Sequence, residues 1–223
     1  SGPARAQCPQ GKVCLHLGNG SEPTTLDPHK TSGTWEDRII SDSLMGLTQD
    51  DAEGRPIPGM AQRWETSPDG LTWRFYLRDA KWSDGVPVTA EDFVFGIRRI
   101  LDPKTASQYA SLLYMIDGAQ AATEGKAPLE SVGVLAVTPK ILEFRLNHPA
   151  PYLPEVAKHY SMYPVPKHVV QKWGDAWTRP EHFVGNGPYM LREWRLGDYV
   201  RSVKSPTFYE ADKVCVDEVY YYP

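Results

Sequence analysis

The sequence holds no apolar run approaching the ~20 residues that a membrane-spanning helix needs. Nor does one sign of charge dominate: 24 basic side chains stand against 28 acidic ones, a formal net charge of −4. A nucleic-acid partner calls for a concentrated basic surface, so none is expected. Cysteine is scarce. Cys8 and Cys14 could close a small loop in an oxidising compartment, which would leave Cys215 single; three free thiols is the other reading. No His pair or second Cys pair stands at ligand spacing, and neither a metal nor any other cofactor is expected.

Catalytic signatures are missing too. His16, His29, His148, His159, His168 and His182 sit in no H-E-x-x-H arrangement, and no G-x-S-x-G occurs. Gly18-Asn19-Gly20 is a glycine pair without phosphate-loop spacing and reads as a turn. Glu91 and Asp92 are adjacent carboxylates at the start of a helix, where they favour its dipole rather than acid–base work. Asp50-Asp51-Ala52-Glu53 reads as a solvated loop, since the Ca²⁺-loop pattern is not met. The protein is therefore expected not to be an enzyme.

What the chain does have is aromatic packing material and turns: seven Trp, twelve Tyr, 20 Pro and 18 Gly in 223 residues. That length builds one large domain or two small ones. No internal repeat or low-complexity segment interrupts it. The alternation predicts strands near Val13 to Leu17, Leu71 to Arg78, Gly133 to Val137, Ile141 to Leu146, Tyr189 to Trp194, Tyr199 to Lys204 and Val214 to Tyr222. Helical texture runs from Trp35 to Met45 and from Tyr109 to Ala122, with Pro151 and Pro166 each opening a further helix. Glu53-Gly54 and Pro56 to Gly59 read as loops. Ser83-Asp84-Gly85 is turn chemistry. Thr89 with Asp92 three residues on reads as a helix N-cap, followed by Phe93, Val94, Ile97, Ile100 and Leu101 at helical spacing. Near the N-terminus, Ala4-Arg5-Ala6 has the small-x-small pattern of a signal-peptidase site.

The wording of one stretch says more than its texture. Leu71 to Val94 carries the pattern L-x-W-x-F-x-L-R-x-x-K-W-S-D-G-x-P-V-T-A-x-D-F-V. Around it stand Leu26-Asp27-Pro28-His29-Lys30, Asp102-Pro103-Lys104-Thr105, Lys172-Trp173-Gly174-Asp175-Ala176-Trp177 and Asn186-Gly187-Pro188-Tyr189, in that order. Together they resemble the extracytoplasmic solute-binding proteins of peptide ABC transporters, family 5 type, from about Leu15 to the end. The resemblance implies an α/β fold: a lobe like those of type II periplasmic binding proteins, with an inserted α/β sub-domain. Residues 1–42 and 164–223 would form lobe I, and 43–163 the insertion. A second lobe would follow and is absent from this chain, so a fragment of a longer protein is expected.

The resemblance also implies a function. A monomer in the periplasm, or on the outer face of the cell envelope, would bind an extended peptide and deliver it to ABC permease subunits. Membrane contact would come only through the permease or a lipid anchor. Ser32, Gly33 and Thr34 fall in the segment that pairs with the ligand main chain, and Tyr109 in the segment that reaches toward the peptide. A glycine there would let another backbone come close. Ser32 stands where well-matched members carry a carboxylate, which removes the basis for expecting a preference for basic peptides. The alternatives are a relative that captures a nickel chelate, haem, an opine-like conjugate or an oligosaccharide, or a half-molecule that serves as an interaction or signalling module without enclosing a ligand.

Overall fold

A computed structural model describes residues 5–223; of the small-x-small stretch, Ala4 lies outside the described residues. The first half runs β1 (Cys14–Gly18), α1 (Thr34–Ser43), β2 (Thr48–Asp50), β3 (Pro56–Pro58), β4 (Ala61–Thr66), β5 (Thr72–Leu77) and α2 (Ala90–Leu101). The second runs α3 (Ala119–Thr123), β6 (Val134–Thr138), β7 (Ile141–Arg145), α4 (Leu153–Val156), α5 (Lys167–Trp173), β8 (Tyr189–Arg195), β9 (Tyr199–Lys204) and β10 (Glu218–Tyr222).

Two four-stranded sheets organise these elements. One has the order β1-β10-β9-β8. In it β1 runs parallel to β10, with Leu15 opposite Val219, while β10-β9 and β9-β8 are antiparallel. The N-terminal strand thus pairs within the sheet made by the last third of the chain. The other sheet, order β4-β5-β7-β6, is wholly antiparallel. Its centre is legible in β5. Trp73, Phe75 and Leu77 are buried while Thr72, Arg74 and Tyr76 keep partial access to solvent, the period-two pattern of a sheet with one covered face. Phe75 meets Phe144 of β7 edge to face, with centroids 5.6 Å apart. Helix α2 lies on β6 and β7 through the buried Phe93, Val94, Ile97, Ile100 and Leu101.

Asp92, in the first turn of α2, does more than favour a dipole. Its carboxylate accepts from the Thr89 amide (3.0 Å), the indole N–H of the fully buried Trp82 (3.0 Å) and the Lys167 amide at the start of α5 (3.2 Å). Burial pushes its carboxyl pKa up, against the pull of these donors.

Two expectations are corrected. Pro56 to Gly59 is not all loop: Pro56–Pro58 pairs antiparallel with Thr48–Asp50 as a two-stranded ribbon, a small pairing of the kind that tolerates proline at an edge. Strand β4, which the sequence pattern did not single out, joins β5. The helix expected from Tyr109 to Ala122 breaks into a 3₁₀ turn, Ala110–Leu113, and the five-residue α3. Between them the backbone bonds sideways rather than along a helix. The Met115 carbonyl accepts from Asn147 N and the Asp117 amide donates to the Arg145 carbonyl, each at 2.9 Å, extending the end of β7. Cys8 and Cys14 form a disulfide and Cys215 is a free, exposed thiol, which decides between the two readings.

The N-G-P-Y stretch acts at the end of α1. Asn186 donates through its amide to the Met45 carbonyl (3.0 Å) and accepts from the Met45 amide (2.9 Å), standing in for a strand partner. Gly187 N–H donates to the Ser43 carbonyl at 3.0 Å, and a Cβ on Gly187 would lie 2.6 Å from the Ser43 carbonyl carbon. No residue but glycine lets these backbones meet. This clamp fixes the far end of the helix whose near end carries the candidate site.

Candidate functional site

The site begins with a buried polar anchor. Leu26, Asp27 and His29 have almost no exposure, in a loop where such burial demands partners. Arg99 of α2 donates to both Asp27 carboxylate oxygens, at 2.8 and 2.5 Å, and through Nη1 to His29 Nδ1 at 2.9 Å. His29 Nε2 donates to the Tyr163 carbonyl at 3.1 Å, so the ring is neutral with its proton on Nε2. The indole N–H of Trp177 donates to Asp27 Oδ2 at 3.2 Å. Burial works to raise the Asp27 pKa, but the Arg99 hydrogen bonds and charge outweigh it and hold the group at about 2. Burial and then the Arg99 charge push His29 down to about 4. At the rim, Lys30 pairs with Asp175 at 2.8 Å.

From that anchor the chain emerges at Ser32. Gly33 is extended (φ −97°, ψ 154°) and caps α1. The extended stretch ends there: Thr34, expected within it, is the first residue of the helix. The first amides of a helix have no intrahelical acceptor. Among the described residues no hydrogen bond is donated by the main-chain amides of Ser32, Gly33 or Thr34. Ser32 and Thr34 are exposed. The sequence-selected residues thus present a short row of free donors.

Tyr109 closes on this row. Its hydroxyl donates to the Ser32 carbonyl at 3.3 Å, so all four candidate residues fall in one place. Its ring rests edge-on against His159 (centroids 4.9 Å) and Tyr160 (5.6 Å). His159 Nδ1 accepts from the Ser161 amide (3.1 Å), which leaves its proton on Nε2, and burial lowers its pKa. Burial raises the Tyr160 phenol, so both rings are neutral at physiological pH. Beyond them opens a recess of about 370 Å³ between α1 and α4, with Asp37 and Ser41 on one side and Lys158 on the other. His159 stands in no catalytic motif, and no sequence pattern marks Tyr160. Their sole signal was adjacency to each other; nothing in the spacing ties them to Tyr109, fifty residues away.

The reason for glycine at position 33 also differs from the expectation. The space a side chain would take is filled from within the chain: a Cβ on Gly33 would lie 2.1 Å from Glu36 Oε2.

An extended strip with free amides, an aromatic wall beside it and a neighbouring recess lie together on this chain, the kind of surface that solute-binding proteins as a class turn to a ligand. The chain belongs to the bacterial extracellular solute-binding proteins, family 5, whose middle-region model matches residues 55–223. It is 43% identical over 215 residues to the periplasmic oligopeptide-binding protein OppA of Escherichia coli K12, covering 95% of this chain and 39% of that protein. Among solved structures it is similar to Haemophilus influenzae OppA in complex with the peptide RPPGFSPFR (TM-score 0.91, 36% identity, 96% of this chain and 42% of that one). It is likewise similar to the murein tripeptide-binding protein MppA of Escherichia coli (TM-score 0.91, 36% identity, again 96% and 42%). The chain thus spans about two fifths of the length of the relatives it matches. Those relatives are periplasmic, and no helix among the described residues is long and apolar enough to cross a membrane.

Proposed function

We propose that this chain forms the peptide-facing part of one lobe of an extracytoplasmic receptor. It captures peptides in extended form for an ABC import permease, acting as a monomer by binding and not by catalysis. Residues 1–42 and 164–223 make up lobe I, and 43–163 the sub-domain inserted into it. A receptor that accepts many peptides has to read what all of them share, the main-chain N–H and C=O groups. The observation that carries this reading is the row of unpartnered amides at Ser32, Gly33 and Thr34 beneath the Tyr109 hydroxyl. The peptide-bound state of the Haemophilus influenzae relative supports it.

Because Thr34 opens α1, proline at that position removes a single N–H and little else. Proline suits the first position of a helix, and the preceding Gly33 already holds the extended conformation proline requires of its neighbour. Thr34→Pro is therefore expected to leave the melting temperature nearly unchanged. It is expected to weaken several unrelated peptides together by about 1–3 kcal/mol, the loss for a ligand carbonyl left without its donor. Thr34→Ala, which keeps the N–H, stays near the parent. Titration calorimetry with three tripeptides of different side chains makes the comparison. Unchanged affinities in a folded Thr34→Pro protein would remove Thr34 from the binding strip.

A further inference from the structure

Glu36 is only 1% exposed, an uncommon position for a carboxylate that forms no ion pair among the described residues. Oε1 accepts from the Thr24 amide (2.8 Å) and the Thr24 hydroxyl (3.0 Å). Oε2 is buried, has no partner among the described residues, and sits where the side chain of residue 33 would begin. A buried acceptor left unpaired is destabilising, so its retention calls for a reason other than packing. A free carboxylate end would swing aside at little cost. This one cannot without releasing Thr24.

We propose that Glu36 is the positioning residue of the peptide-pairing strip. Its carboxylate is wedged between the two ends of the loop that begins near Thr24 and ends at Gly33. From the first turn of α1, where the helix dipole favours a negative charge, it ties down the start of the loop and occupies the side-chain face of its last residue. With that face filled, Gly33 is held extended, and the amides of Ser32, Gly33 and Thr34 turn to the one side left open. Gly33 and Glu36 therefore form a matched pair: the glycine is required by the carboxylate, and the carboxylate sets the backbone the ligand reads. This inference rests on the peptide-binding reading above.

The test is a rescue experiment in the full-length protein, with trialanine as probe and ¹⁵N-labelled protein to follow the amides of residues 32–34. Gly33→Ala places a methyl group against Oε2. It is expected to move all three amide resonances and to weaken trialanine by about tenfold, as for a misplaced main-chain hydrogen bond. Gly33→Ala combined with Glu36→Asp draws the carboxylate back by one methylene. Relief of the clash outweighs the longer reach to Thr24, and the change is expected to return the amide resonances part of the way toward the parent and affinity to within about threefold of it. A merely structural role predicts that the two changes add, leaving the double variant worse than either. Additive losses, or parent-like amides in Gly33→Ala, would overturn the proposal. If the parent itself binds no peptide, the peptide-binding reading fails on its own, and rescue or non-rescue of the amide resonances still decides whether Glu36 positions the strip.

Discussion

Arg99→Met is expected to lower the free energy of unfolding by about 3–5 kcal/mol at neutral pH, because it strands the buried Asp27 carboxylate without its cation. Arg99 supplies two of the hydrogen bonds to that carboxylate and one to His29, and its own side chain is 11% exposed, so water does not readily replace it. The sequence positions involved are far apart: the loop after β1, helix α2, and Trp177 beyond α5. Loss of the cluster should therefore loosen how these three segments meet. Urea unfolding followed by tryptophan fluorescence measures it, Trp177 being a reporter inside the cluster. Removing both charges with Asp27→Leu and Arg99→Met should recover most of the loss, since a buried pair contributes less than its breakage costs. A single-variant loss below about 1 kcal/mol, the level of an exposed pair, would contradict this account.

The same cluster sets the response to acid. Both groups have folded pKa values below their ordinary ones, so the unfolded chain binds protons more readily and stability falls as pH falls. His29 contributes first: its stabilisation is complete above about 6.5 and is lost as pH drops toward 4. A shift of that size corresponds to about 3 kcal/mol. Asp27 follows between its ordinary value near 4 and about 2. His29→Gln, which keeps a donor for the Tyr163 carbonyl, should remove the step between pH 6.5 and 4 and leave the lower one.

Part of the fold and of the site was readable in the sequence. Periodicity exposed β5 and α2 because each buries one face, so Trp73, Phe75 and Leu77, or Phe93 and Ile97, repeat at the spacing of their element. It failed for Tyr109 to Ala122. There the composition suits a helix, yet the backbone at Met115 and Asp117 finds its partners in β7, a tertiary choice that local pattern does not encode. The site shows the same division. Ser32, Gly33, Thr34 and Tyr109 came from the family resemblance, and the structure brings them together. Glu36 and Arg99 belong to no motif that marks them in the sequence. Their roles exist only because Gly33 leaves a gap for one carboxylate and the loop after β1 buries another beneath α2.

The 223-residue chain alone is expected to bind tripeptides more weakly than about 1 mM, at least about 100-fold more weakly than a polypeptide carrying the remaining length of the relatives. The candidate strip offers three free amides and a phenol already engaged with Ser32. Each new main-chain hydrogen bond yields a net of about 0.5–1.5 kcal/mol, so three give at most about 4–5. Holding the ligand still costs about 4 kcal/mol or more in lost translation and rotation. On an open wall those terms nearly cancel, because the far edge of the peptide stays in water and gains nothing. A second wall adds its own hydrogen bonds without repeating the immobilisation cost, and it removes solvent from the first set, so affinity should rise steeply rather than double. Calorimetry on both proteins with the same peptide pool reads the difference directly. Comparable affinities would show that the strip, Tyr109 and the adjoining recess bind peptide unaided. The half-molecule would then stand as a self-contained interaction module, and the enclosure argument would fail.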